Sequence, residues 1–215
     1  VRALLIALLY GIFFILIEYI AGKAKLPKET SRKIVHIIAG CTAALLPLVM
    51  PFHQIAILGA LFIPAMFLSK RLNVFSSIHK VERKTYGEVY FPVAIVLTAL
   101  LFPTTYLYAY GLLVMAVSDG FASVIGQKYG HKTYKLLFSR KSYIGSLTFC
   151  ISALVIGILA LVCSNTANLV PAVLVSLLAA IVLTFVEAIL SFGLDNLVLP
   201  PLAAFLLFSL VKLVV

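Results

Sequence analysis

Long apolar runs fill this chain, and short clusters of Lys, Arg, Gly and Pro separate them. Several runs reach the ~20 residues that a helix needs to cross the hydrocarbon of a bilayer. Eight helical spans can be drawn, at residues 2–21, 34–50, 53–69, 89–102, 105–126, 143–163, 169–190 and 197–215. The pattern predicts an all-α, multi-pass integral membrane protein with one polytopic domain over residues 1–215, and no soluble appendage, low-complexity linker or internal repeat interrupts it.

Composition sharpens that picture. The 215 residues are 63% hydrophobic and 11% charged, with a mean hydropathy of +1.17. A soluble core of this size could not hide so much apolar surface. The first run is expected to be a retained helix, because it is long for a signal peptide and GKAKLPKE follows where a small-residue cleavage site would stand. The chain does not open on Met, so further residues ahead of Val1 are expected. Cys41, Cys150 and Cys163 lie inside apolar stretches without metal-site or redox spacing and read as small buried hydrophobes.

Charge placement adds an orientation. Of the 17 Lys and Arg, Lys23, Lys25, Lys28, Arg32 and Lys33 fall in the first connection. Lys70, Arg71, Lys80, Arg83 and Lys84 fall in the third, and Lys128, Lys132, Lys135, Arg140 and Lys141 in the fifth. The second, fourth and sixth connections (PFH, PTT and SNTAN) carry none. The positive-inside rule then puts the odd connections in the cytoplasm and both termini outside. The net charge of +10 is explained by these loops beside anionic lipid, so nucleic acid is not a partner.

The seven carboxylates, Glu18, Glu29, Glu82, Glu88, Asp119, Glu187 and Asp195, all gather on that same expected side. Neutralisation of nearby cations explains Glu82, but it explains Asp119, Glu187 and Asp195 poorly, since apolar or small residues surround each. Ionisable groups within a span usually face a wet cavity or a partner. A transporter would place polar residues near the midplane and show repeat symmetry, so the one-sided gathering favours an enzyme that joins a cytosolic phosphate compound to a lipid.

Five stretches hold the candidate chemistry. In KETSRKIVHIIAG, Thr30 or Ser31 is a predicted N-cap, and Arg32, Lys33 and His36 share the start of a helix where they could hold an anion. RKTYGEVYFP brings Glu88 to the entry of the fourth span. VSDGFASVIGQKYG sets Asp119 seven residues short of residue 126, roughly 10 Å below the end of its span, with Gly120, Ala122, Ser123 and Gly126 leaving room for a ligand or another helix. RKSYIGS offers Lys141, Ser142, Gly145 and Ser146 at a helix start, a favourable place for phosphate. VEAILSFGLDNLVLPP carries Glu187, Asp195 and Asn196, and Pro200 and Pro201 predict irregular backbone before a late helix start.

Taken together, ETSRKIVHIIAG, YGEVYFP, SDGFASVIGQKYG, RKSYIGS and VEAILSFGLDNLVLP resemble, in order, the segments of the CTP-dependent lipid-alcohol kinases: phytol, dolichol and polyprenol kinases and the CTP-dependent diacylglycerol kinase. The resemblance implies transfer of the CTP γ-phosphoryl group to a membrane alcohol with Mg2+, at a site facing the cytoplasm. Asp119 and Asp195 are the implied metal ligands, with Glu187 in support. Arg32, Lys33, Lys141 and the Ser142–Ser146 stretch would hold the phosphates, with Gly120 and Gly126 making room. His36 or Glu88 would take the hydroxyl proton, and Glu29 and Asn196 are further site candidates. The bilayer and the lipid alcohol are the expected partners, with a homodimer admitted. The related phosphatidate cytidylyltransferases share two of the segments, but SFGLDNLVLP stands where they carry a His-Gly-Gly element, which ranks cytidylyl transfer second.

Overall fold

The computed structural model describes residues 2–23, 28–71, 86–137 and 139–214. Glu82, Lys25, Lys80, Arg83 and Lys84 lie outside the described residues, as do the side chains of Glu18, Lys23, Lys28, Glu29, Thr30, Ser31 and Lys70. The described residues form eight helices and one small hairpin. The helices are α1 (Arg2–Lys23), α2 (Lys28–Ala44), α3 (Phe52–Arg71), α4 (Gly87–Leu101), α5 (Thr105–Tyr129), α6 (Tyr143–Cys163), α7 (Leu169–Ile189) and α8 (Asp195–Val214). Strands β1 (Thr133–Leu136) and β2 (Ser139–Ser142) pair antiparallel between α5 and α6, with Thr133 opposite Ser142.

Five of these helices are long and apolar enough to cross a membrane: those at Phe52–Ser69, Thr105–Tyr129, Tyr143–Cys163, Leu169–Ile189 and Asp195–Val214. Their outward faces are apolar too. Leu147, Ile151, Val155 and Leu159 line up four apart along α6 and are all exposed, as are Leu174, Leu178, Ile181 and Phe185 of α7. Apolar surface on that scale is stable only against lipid, so the chain is a multi-pass helical membrane protein.

Helix α5 is the axis of the bundle and is buried along more of its length than the other four. Tyr108, Tyr110, Leu112, Val114, Met115 and Ala116 expose nothing. α2, α6 and α8 pack around it, α3 pairs with α4, and α7 packs against α6 and α8. Without a hydrophobic force between helices inside lipid, close approach comes from small residues. Gly40 of α2 lies against Ala116, Gly111 of α5 against the carbonyl oxygen of Pro200, and Gly157 of α6 against Ser176 of α7. In α5 the stretch Val114–Asp119 widens into π-type turns, a local deviation that is frequent at functional sites.

Several boundaries differ from the sequence reading. α2 is helical from Lys28, so Thr30 and Ser31 lie inside the helix and not at its N-cap. The α-helix stops at Ala44 because Pro47 cannot continue the ladder, and a 3-10 turn at Leu46–Leu48 follows. α8 begins at Asp195 and takes Pro200 and Pro201 into its body. The irregular backbone precedes the helix, at Ser191–Leu194, where Phe192 (φ 58°) and Gly193 (φ 85°) are both left-handed. None of the three thiols is fully buried: Cys41 and Cys150 are half-buried, and Cys163, the last residue of α6, is exposed.

Candidate active site

One cavity of about 820 Å³ opens among α2, α4, α5, α6, the hairpin and the turn before α8. Its charged end carries four cations, Arg32, Lys33, Arg140 and Lys141, and four carboxylates, Glu88, Asp119, Glu187 and Asp195. His36, Ser142, Gly145, Ser146, Gly126 and Asn196 also line it. The cavity thus joins residues from all five stretches singled out in the sequence. Gly120 is the exception, because it faces Ile37 of α2 and serves helix packing. The Glu29 side chain lies outside the described residues.

Two buried ion pairs organise the charges. Lys33 Nζ donates to Asp119 Oδ2 at 2.6 Å, with only 11% and 4% of the two side chains exposed. Lys141 donates to Glu187 Oε1, which ties the hairpin to the end of α7. Ser139 of the same strand donates to the Ala188 carbonyl beside it. Burial alone would lower the Lys141 ammonium, but Glu187, Asp119 and Asp195 together outweigh it and hold its pKa above lysine's ordinary value. Lys141 therefore lies within electrostatic reach of all three carboxylates. The second carboxylate oxygen of Glu187, Oε2, is buried without a hydrogen-bond partner. No cluster of three or more metal-type ligands is closed among the described residues.

The elements explain these positions. Asp119 closes the π-type stretch of α5, and the helix continues to Tyr129. It therefore lies ten residues from the helix end, about 15 Å and deeper than a helix ending at residue 126 would put it. His36 Nε2 faces the Met115 carbonyl at 3.4 Å inside the same stretch, and its ring meets Phe91 of α4 edge-on at 5.7 Å. Ser142 caps α6 by accepting the Gly145 N–H at 3.1 Å, and the Tyr143 N–H donates to the Lys132 carbonyl. This helix start is thus less open to an anion than its sequence implies, since two of its end donors are already engaged. Asn196 donates to the Gly87 carbonyl at 3.1 Å and joins α8 to the entry of α4 beside Glu88.

The sequence reading missed the hairpin, which supplies Thr133 and Arg140 to the cavity, and the Tyr134 hydroxyl at 2.5 Å from Ser146 Oγ. Its strands are four residues each and mostly polar, too short for an alternating pattern to show. The aromatic walls at Phe91 and Phe192 gave no signal among so many apolar residues.

Over 179 residues the chain is 34% identical to the phytol kinase of Synechocystis sp. (strain ATCC 27184 / PCC 6803 / Kazusa), covering 81% of this chain and 76% of that protein. The chain belongs to the lipid-alcohol kinase family. No family profile and no solved structure matches it. Membership makes the chain a kinase whose acceptor is an alcohol. A family that joins a charged donor to a lipid needs a site with both polar and apolar ends, and the cavity has both.

Proposed function

We propose that this protein transfers the γ-phosphoryl group of CTP to the hydroxyl of a membrane lipid alcohol, on the cytoplasmic side of the bilayer. The observation that carries the reading is a single cavity in which charged residues face an apolar slot along α2, α3 and α4. In the proposed topology all eight helices cross or enter the membrane, both termini face outward, and the basic connections lie in the cytoplasm.

In the reaction, the acceptor oxygen attacks the γ-phosphorus, the bond from that phosphorus to the β–γ bridging oxygen breaks, and CDP leaves. The hydroxyl proton passes to His36 or Glu88, which line the cavity on facing helices. Such transfers depend mainly on positioning and on neutralising the oxygens. Arg32, Lys33, Arg140 and Lys141 are the cations for that task, and Lys141 is held charged by the carboxylates around it. The capped start of α6, from Ser142 to Ser146, lines the same wall.

Mg2+ fits this donor set. Asp119, Asp195 and Glu187 offer hard carboxylate oxygens on one cavity, and the buried Glu187 Oε2 lacks a protein partner. Among the described residues the three do not close into a metal cluster, so one or two of them, Asp119 and Asp195 first with Glu187 in support, would hold it together with phosphate oxygens, and when bound it supplies charge neutralisation at the triphosphate.

The test is transfer of label from γ-labelled CTP, against ATP, GTP and UTP, to phytol, geranylgeraniol, a polyprenol and diacylglycerol by the purified protein. Labelled phospholipid formed from CTP in preference to the other nucleotides supports the reading. Cytidine in the lipid product indicates cytidylyl transfer instead, and solute uptake into liposomes without CTP turnover indicates a transporter.

A further inference from the structure

The hairpin between α5 and α6 turns on a residue that is out of place in water. Its register pairs Leu136 with Ser139 and leaves a two-residue turn that opens on Leu137. Turns of that length favour Gly, Asn and Asp, which tolerate positive φ and accept solvent. Leu137 instead holds a left-handed φ of 47° and leaves 64% of its surface exposed.

The strand behind the tip fixes where it lies. Ser139 donates to the Ala188 carbonyl and Lys141 to Glu187, so β2 lies across the end of α7 and does not stand off into solvent. α7 packs against α6 and α8 and turns its outer row to lipid. That row ends at exposed Phe185, within one helical turn of Ala188. Tyr129 closes α5 and Tyr143 opens α6, 50% and 61% exposed, as amphipathic rings sit at a membrane interface. Lys132 and Lys135 are exposed in the same connection, and Lys135 stands directly opposite Arg140. Like charges facing each other across a ladder are unfavourable, and a surface of lipid phosphates relieves that repulsion.

We infer that the hairpin tip is a contact with the bilayer surface: Leu137 inserts among the acyl chains beside the end of α7, Lys132 and Lys135 meet headgroup phosphates, and β2 is thereby held where Arg140 and Lys141 reach the cavity. The steering of Arg140 and Lys141 toward phosphates rests on the lipid-alcohol kinase reading; the insertion does not. Removing the Leu137 side chain from water offsets the cost of its left-handed backbone. The bilayer then helps to set the phosphate-holding wall, alongside the bundle.

The chain has no Trp, so Leu137→Trp reports on that position alone. The purified full-length variant is placed in nanodiscs of phosphatidylcholine and phosphatidylglycerol whose acyl chains carry bromine either near the glycerol or at the methyl end. Its emission should be quenched strongly by bromine near the glycerol, less by bromine at the methyl end, and little by aqueous iodide. Val155→Trp, on the lipid-facing row of α6, should show the reverse order of the two bromines and calibrates the depth. Leu137→Trp that is quenched by iodide and untouched by either bromine overturns the insertion.

The hold on β2 is read with Leu137→Asp against Leu137→Phe in the same nanodiscs. Leu137→Asp should speed hydrogen exchange at the Ser139–Ser142 amides and raise the KM for CTP several-fold, and Leu137→Phe should match wild type in both. Equal exchange in the two variants overturns the hold. Faster exchange in Leu137→Asp from a wild-type protein that phosphorylates no alcohol supports the anchor and marks failure of the kinase reading alone.

Discussion

The Lys33–Asp119 pair allows a test that separates structure from chemistry. At 2.6 Å, an effective dielectric constant near 20 makes their attraction roughly 6 kcal/mol before desolvation is counted. Desolvation of two buried ions offsets much of that, yet removing one partner alone typically costs about 3–5 kcal/mol because the other charge is left stranded. The lower end applies here, since Lys33 keeps 11% of its side chain exposed at the cavity. Asp119→Asn should therefore lower the unfolding midpoint in detergent, by about 3 kcal/mol in free energy, and also abolish phosphoryl transfer. The double variant Lys33→Met, Asp119→Leu removes the stranded charge and should recover most of the stability while remaining inactive. Near-normal turnover by Asp119→Asn, or recovery of activity together with stability in the double variant, would refute the site reading and leave the pair a purely structural one.

Three further outcomes follow from the geometry. Ser142→Ala removes the cap that accepts the Gly145 N–H and should cost about 1 kcal/mol in detergent unfolding; no change would mean that another group caps α6. Gly111→Ala drives a methyl group into the Pro200 carbonyl oxygen, a backbone atom that cannot turn aside, and should cost about 2–3 kcal/mol, measured the same way against Gly11→Ala, where nothing lies within 4 Å. The folded pKa of Lys141 is raised above its ordinary 10.5. Its pairing is therefore complete below 10.5 and weakens only as pH climbs through the raised value. A kcat/KM profile between about pH 7 and 10 should show no basic limb from this residue, and a limb that moves in Lys141→Arg would contradict this.

Membership of a polytopic helical class, the approximate course of the helices and the residue types of the site were readable in the sequence. Long apolar runs leave few alternatives in lipid, where every backbone group must be satisfied within its own helix. Asp119, Glu187 and Asp195 stood out for the same reason, since a carboxylate among apolar residues needs a partner or water. The partners themselves were not readable. Lys33 meets Asp119 across 86 positions and Lys141 meets Glu187 across 46, contacts set by how α2, α5, α7 and the hairpin lie against one another. Gly120 looked like room for a ligand until α2 brought Ile37 against it, whereas Gly126 kept its place on the cavity. The apolar slot was equally hidden, because along the chain Ala39, Ala43, Leu46 and Ile55 look the same as residues that face lipid. Local sequence encodes burial and helix ends through hydropathy, proline and glycine; only packing decides which apolar face meets lipid, which meets another helix and which encloses a cavity.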